Sequence, residues 1–168
     1  MQKTNIVLTG FMGTGKTTIG SLVAKSLNKI FVDTDLFIET VEEMSIKGIF
    51  CDQNKGPDYF REEEDRVCDE LCLGKDQVIS FGGGTMVNNY QKFTNNSLIV
   101  CLYASFEHIY SRIKNSKKRP LVSDERGLRR LLNERQEFYN KSDLMINVEC
   151  FNAKQSTEII KCTFETIK

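Results

Sequence analysis

A chain of 168 residues, 40% of them hydrophobic, can bury one sizeable core, which favours a single domain over 1–168. Its 23 basic and 23 acidic residues cancel, so no net charge draws it to nucleic acid or to an anionic membrane. No apolar run approaches the length of a membrane span, and Met1-Gln2-Lys3-Thr4 leads straight into a strand without room for a signal peptide. Six cysteines (Cys51, Cys68, Cys72, Cys101, Cys150, Cys162) form no C-x-x-C pair, and there is one histidine. Cys68 and Cys72, four apart on a helical segment, could bridge or bind metal but lack a second ligand pair. Small buried or half-buried thiols in a reducing cytoplasm are expected.

The first element is the apolar run Ile6-Val7-Leu8, read as a buried strand over Asn5–Thr9. Gly10-Phe11-Met12-Gly13-Thr14-Gly15-Lys16-Thr17 follows and matches G-x-x-x-x-G-K-[ST], the phosphate-cradling loop. Its glycines permit a tight turn whose N–H groups point at phosphate oxygens. Lys16 reaches the β- and γ-phosphates, and the Thr17 hydroxyl can ligate Mg²⁺. Ile19, Leu22, Val23 and Leu27 then recur at helical spacing, so the loop feeds a helix N-terminus, which favours an anion. A bound ATP or GTP is the expectation.

A second strand, Ile30–Asp33, ends in Asp33-Thr34-Asp35. One aspartate there can hold a Mg²⁺ water while the other accepts a hydrogen bond from an attacking hydroxyl, or the pair can simply cap a following helix. A helix over 58–73 carries Tyr59, Phe60, Val67 and Leu71, and places Arg61 and Glu64 on one face, where the carboxylate can hold the guanidinium. The strand at 77–81 runs into Gly82-Gly83-Gly84-Thr85, whose bare backbone can come close to a ligand. A strand at 98–103 precedes a helix at 105–114 bearing Phe106, Ile109, Tyr110 and Ile113, on which His108 reads as structural. Lys117-Lys118-Arg119-Pro120-Leu121 forms a basic loop that can close over polyphosphate, or a solvated charge run. A helix at 124–139 carries Leu128, Leu131, Leu132 and Phe138, with Arg135 and Tyr139 four apart. A strand at 144–148 and a final helix, capped at Asn152 or Ser156 and packed through Ile159, Ile160, Phe164 and Ile167, complete the chain.

The strands are apolar without polar alternation, as in a parallel sheet covered on both faces. The expected fold is therefore α/β: a three-layer, doubly wound domain with a five-stranded parallel sheet and ligands at the strands' carboxyl ends. Two tetrapeptides resemble guanine-nucleotide switch motifs, Asp124-Glu125-Arg126-Gly127 and Asn140-Lys141-Ser142-Asp143. Only one helical pattern separates them, whereas successive parallel strands need a crossover of about a dozen residues or more. Asn140–Asp143 reads as a helix end and turn instead, which disfavours a GTPase switch.

In order and approximate spacing, G-F-M-G-T-G-K-T, D-T-D, F-R-x-x-E, G-G-G, R-P-L and R-x-x-x-Y resemble the shikimate kinases, from the first strand through Tyr139. The resemblance implies a nucleoside-monophosphate-kinase-like P-loop fold with a mobile lid at about 114–124 and an acceptor-binding region at about 33–61. It implies an ATP-dependent phosphorylation of the 3-hydroxyl of shikimate, on the pathway to aromatic amino acids, by a cytoplasmic monomer using Mg²⁺. Gly13, Thr14, Gly15, Lys16, Thr17 and Thr18 would bind the phosphates, with Thr17 on the metal and Asp33 on it through water. Asp35 would bond the ring hydroxyls, including the one attacked, and could act as base. Arg61 and Arg135 would clamp the shikimate carboxylate, and Gly82, Gly83 and Gly84 would line the acceptor pocket. Arg119 would neutralise charge on the moving phosphoryl, and Arg112 and Pro120 would lie beside adenine, as would the loop at 150–153. The chain departs from the family pattern at Gly56-Pro57-Asp58-Tyr59, at Val122 and at Ser80-Phe81. These leave acceptor identity more open than nucleotide binding, with a gluconate or nucleoside monophosphate kinase as the alternative.

Overall fold

Five short runs rich in valine, isoleucine and leucine pair into one parallel sheet in the computed structural model, which describes residues 2–114 and 125–167. The strands are β1 (Asn5–Thr9), β2 (Ile30–Asp33), β3 (Gln77–Ser80), β4 (Ser97–Tyr103) and β5 (Leu144–Asn147), ordered β2-β3-β1-β4-β5. Each pair runs parallel, with Val7 opposite Ile79 on one side and Ile99 on the other. The helices are α1 (Lys16–Leu27), α2 (Thr34–Val41), α3 (Ile46–Cys51), α4 (Gly56–Leu71), α5 (Thr85–Phe93), α6 (Phe106–Ile113), α7 (Glu125–Tyr139) and α8 (Ala153–Ile167). The lid expected at about 114–124, with Arg119 and Pro120, lies outside the described residues save for Lys114.

The period of two along a strand explains why the strand runs are apolar throughout. Ile6, Leu8, Val78, Leu98, Val100 and Leu102 meet Ile19 and Val23 of α1 and Ile160 and Phe164 of α8 on one face. Their neighbours Val7, Ile79 and Ile99 point the other way, onto Cys68 of α4 and Met86 and Phe93 of α5. Each such fully buried side chain contributes about 1.5–3 kcal/mol, so both layers are needed to hold the sheet. The edge strand β2 is the exception: Ile30 is 65% exposed.

Three helices go beyond the sequence expectation, which offered only the aspartate cap of α2 and left α3 and α5 unread. The Asp33 carboxylate caps α2, accepting from Asp35 N at 3.2 Å and Leu36 N at 3.3 Å. Ser45 caps the six-residue α3 through Gly48 N. The sequence of α5, TMVNNYQKF, is polar and carries two asparagines, but Asn89 Nδ2 donates to Asp65 and Phe93 packs edge-on against Phe81, so tertiary contacts override weak propensity. Helix α4 starts at Gly56 with Pro57 in its first turn and stops at Leu71, leaving Leu73 83% exposed beyond its end. Asn152 is the cap of α8, exchanging hydrogen bonds with Gln155, and Ser156 is buried inside the helix. Leu22 is exposed, contrary to its place in the expected apolar stripe.

Cys68 and Cys101 are buried and Cys72 half-buried, while Cys51, Cys150 and Cys162 are exposed, which corrects the expectation that all six are shielded. All six are free thiols, and burial pushes the Cys101 thiol up to about 12. His108 sits against Glu149, its Nδ1 3.5 Å from the carboxylate. Asn140–Asp143 turns from α7 into β5, with Asp143 accepting from Ile99 N at 2.8 Å and Lys3 Nζ at 2.7 Å. That tetrapeptide is a structural turn. No helix among the described residues is long and apolar enough to cross a membrane.

Candidate active site

At the carboxyl ends of β1, β2 and β3 lies a cavity of about 550 Å³, within the about 300–1,000 Å³ typical of small-molecule sites. One end is built by the loop after β1. Gly15 is the N-cap of α1 at φ 91°, a left-handed conformation that suits glycine, and no side chain caps the helix. The first-turn N–H groups of α1 are thus left to a ligand, with the positive end of the helix dipole behind them. Gly13, Gly15, Lys16, Thr17 and Thr18 line this end. Lys16 Nζ donates to Gly10 O at 2.8 Å and Phe11 O at 3.1 Å, folded back along its own loop. Thr14 is buried behind the wall, its hydroxyl donating to Phe11 O at 2.8 Å, and so braces the loop from beneath. Arg112, in the last turn of α6, reaches Gly13 O at 3.3 Å from outside.

The strand-end aspartates form the next wall. Thr17 Oγ1 donates to Asp33 Oδ2 at 2.6 Å, so the loop hydroxyl and the β2 carboxylate share one spot while Asp33 also caps α2. The capping reading of Asp33 is met by Oδ1, while Oδ2 faces Thr17. Asp35 lines the cavity two residues on. Burial foremost, then the Glu64 and Asp33 carboxylates, push the Asp35 carboxyl up to about 6 against the opposing pull of Lys16. The Thr34 hydroxyl, buried between β2 and β3, accepts from Gly82 N at 2.9 Å and donates to Ser80 O at 3.3 Å, fixing Asp35 relative to the glycines.

The far end is basic. Arg61 from α4 and Arg135 from α7 converge over Gly84: a Cβ placed there would lie 2.9 Å from Arg61 Nη1 and 3.0 Å from Arg135 Nη2. Two guanidinium groups held side by side make a fork suited to one carboxylate. Arg61 is gripped from behind by the buried Glu64, and the Arg135 guanidinium carbon is 5.9 Å from the centre of the Phe11 ring. Tyr139, one turn after Arg135, donates its hydroxyl to Gly83 O at 2.7 Å and pins α7 to the glycine turn. Gly83 and Gly84 line the cavity, whereas Gly82 lies behind it, its Cβ position only 2.3 Å from Asp35 Oδ1.

Leu36, Ile46, Phe50 and Phe60 supply an apolar wall, and Glu39 joins it while accepting from Ile46 N at 2.9 Å. Of these, Leu36, Glu39, Ile46 and Phe50 escaped the sequence reading, because the extent of α2 and all of α3 did. The signal for α3 was present as Ser45 ahead of Ile46, Ile49 and Phe50.

A phosphate loop, two strand-end aspartates and a paired arginine fork on a doubly wound sheet define a P-loop phosphotransferase. Comparison narrows this class. The shikimate kinase family model matches residues 12–167. A shikimate kinase from Thermodesulfovibrio yellowstonii is 38% identical over 168 residues, covering 97% of this chain and 96% of its own. One from Caldanaerobacter subterraneus subsp. tengcongensis is 42% identical over 149 residues, 86% of each chain. The structure of a shikimate kinase from Acinetobacter baumannii in complex with shikimate superposes with a TM-score of 0.89 at 31% identity, covering 98% of this chain and 94% of its own. A gluconokinase from Sinorhizobium meliloti, 13% identical with a TM-score of 0.63, shares the fold alone. The chain belongs to the shikimate kinase family, and is an enzyme of the kinase type.

Proposed function

We propose that this cleft transfers the γ-phosphoryl group of ATP to the 3-hydroxyl of shikimate. The observation that carries the reading is the convergence of Arg61 and Arg135 over Gly84, in the same cavity as the phosphate loop. A nucleoside monophosphate would present a dianionic phosphate, and a GTPase would need no acceptor pocket; a ring carboxylate fits a two-arginine fork.

Phosphoryl transfer asks the protein for placement and charge stabilisation more than for covalent chemistry. Gly13 to Thr18 would cradle the triphosphate, with Lys16 leaving its backbone partners to meet the β- and γ-oxygens. The Thr17–Asp33 pair offers hard oxygen donors where Mg²⁺ would sit. Among the described residues no group of three or more metal-ligating side chains gathers, so phosphate oxygens and water would complete the shell, as Mg²⁺ prefers. Bound there, the ion would neutralise phosphate charge. Asp35, poised near neutrality, would bond the attacking hydroxyl and receive its proton. Arg119 is assigned to the transferring phosphoryl group, and Arg112 and Pro120 to the adenine side, on the family resemblance. A cytoplasmic monomer is part of the same reading, on the family resemblance.

A coupled ADP-release assay across shikimate, quinate, gluconate and nucleoside monophosphates tests the assignment; preference for anything but shikimate would overturn it. In that assay Arg135→Ala is expected to raise the shikimate KM by about tenfold or more, the loss of a charge-assisted contact, with little change in the ATP KM. A larger change in the ATP term would misplace the fork. Gly84→Ala should act similarly. The atoms nearest its Cβ would be the ends of two flexible arginines, so the fold is expected to survive, with a thermal midpoint near wild type. The fork is pushed apart, and the shikimate KM again rises by about tenfold.

A further inference from the structure

We infer that Thr85 is a positioning residue for Arg61, acting through Glu64; this rests on the reading of Arg61 as part of the shikimate clamp. Thr85 is the first residue of α5, 1% exposed, and does not line the cavity. Its Oγ1 donates to Glu64 Oε1 at 2.5 Å. Glu64 is 2% exposed, and its other oxygen, Oε2, holds Arg61 Nη1. One buried carboxylate thus takes a neutral donor from the glycine turn and a charged donor from its own helix. The Cβ position of Gly82 is 3.0 Å from both Glu64 Oε1 and Thr85 Oγ1, so a side chain there would part the pair.

The consequence follows from the cost of an unsatisfied buried charge. With Thr85 in place, both Glu64 oxygens are engaged and the carboxylate has one orientation, which gives Arg61 one orientation. Without the hydroxyl, Oε1 of this 2%-exposed side chain loses the donor that orients it. The carboxylate then turns to find other donors and loosens its grip on Arg61. A clamp that must be aligned to be strong loses affinity when the group behind it is free to move. The residues assigned to ATP, Gly13 to Thr18, stand on the loop after β1 and on α1, away from α4 and α5 in the chain, and the ATP KM should not register the change.

The test compares wild type, Thr85→Val and Thr85→Ser for kcat, for the shikimate and ATP KM values and for thermal midpoint. Valine keeps the shape and removes the hydroxyl; serine keeps the hydroxyl and removes the methyl. Thr85→Val is expected to raise the shikimate KM by about tenfold, with kcat and the ATP KM within about twofold, while Thr85→Ser stays near wild type. A packing role predicts the reverse order, with serine the more damaged, and that result overturns the inference. So does an unchanged shikimate KM in Thr85→Val, or a joint rise of both KM values. If Thr85→Val does not fold, Thr85→Ala against Thr85→Ser makes the same comparison. A wild-type enzyme that fails to phosphorylate shikimate would instead overturn the reading of the site, and the two failures are told apart by that first measurement.

Discussion

Replacement of Lys16 by alanine is expected to lower kcat by at least about 10²–10³-fold, the usual cost of removing one group aimed at charge that develops in the transition state. The ammonium sits at the mouth of a helix that no side chain caps, beside Thr17 and Asp33. No other described lysine or arginine lines that end of the cavity. Lys16 donates to the backbone carbonyls of the buried Gly10 and Phe11, so alanine removes hydrogen bonds and no large apolar side chain, and the fold is expected to survive. The measurement is ADP release at saturating ATP and shikimate, paired with thermal unfolding. Near-normal turnover would contradict the assignment of the loop to the triphosphate.

Asp35→Asn carries the other large effect. Loss of a positioned base costs about 10²–10⁴-fold in rate, and kcat is expected to fall within that range while the ATP KM holds. The pH dependence gives a second readout. Because the Asp35 carboxyl is raised to about 6, wild-type kcat/KM should decline as pH drops through about 6, where the base takes up a proton. In Asp35→Asn that limb should vanish. Stability should move the opposite way. A carboxyl whose folded value lies above its unfolded value of 3.8 binds its proton more tightly in the fold. Between those values the unfolded chain ionises first, so wild-type stability falls as pH rises from about 4 to about 6. Asparagine removes this penalty, so the variant should melt higher than wild type at pH 7 and lose that advantage at pH 4. An enzyme that gains stability by losing its base is expected where burial has raised a catalytic carboxyl. Equal melting at both pH values would show that Asp35 is not under strain from its surroundings.

The sheet was legible because its signal is local and strong. Ile6-Val7-Leu8 and 98–103 are apolar at every position, since alternate side chains feed two different cores. The boundaries of β1 and β2 match the reading residue for residue. The helices beyond that reading had weaker signals, in α3 no more than Ser45 ahead of Ile46, Ile49 and Phe50. In α2 the Asp33 cap was readable as one option for the aspartate pair, but the extent of the helix it opens was not. In α5 polar residues are held by Asp65 and by the Phe81–Phe93 contact, neither of which any window of sequence contains. With the extent of α2 and all of α3 unread, the apolar wall of Leu36, Ile46 and Phe50 could not be drawn.

What the chain alone determines is the phosphate loop and the helix that receives it. Glycine spacing, a following lysine and threonine, and an adjoining apolar strand set the geometry within a dozen or so residues, where backbone conformational preferences decide the outcome. The residue types of the acceptor end were also readable, as arginines, glycines and aspartates in a recurring order. Their convergence was a matter for the tertiary structure. Arg61 stands on α4 and Arg135 on α7, and they meet only because α7 is pinned to Gly83 by Tyr139 while Glu64 and Thr85 tie α4 to the same turn. Long-range contacts between buried polar groups have no sequence period, so packing alone decides whether two distant cations face each other.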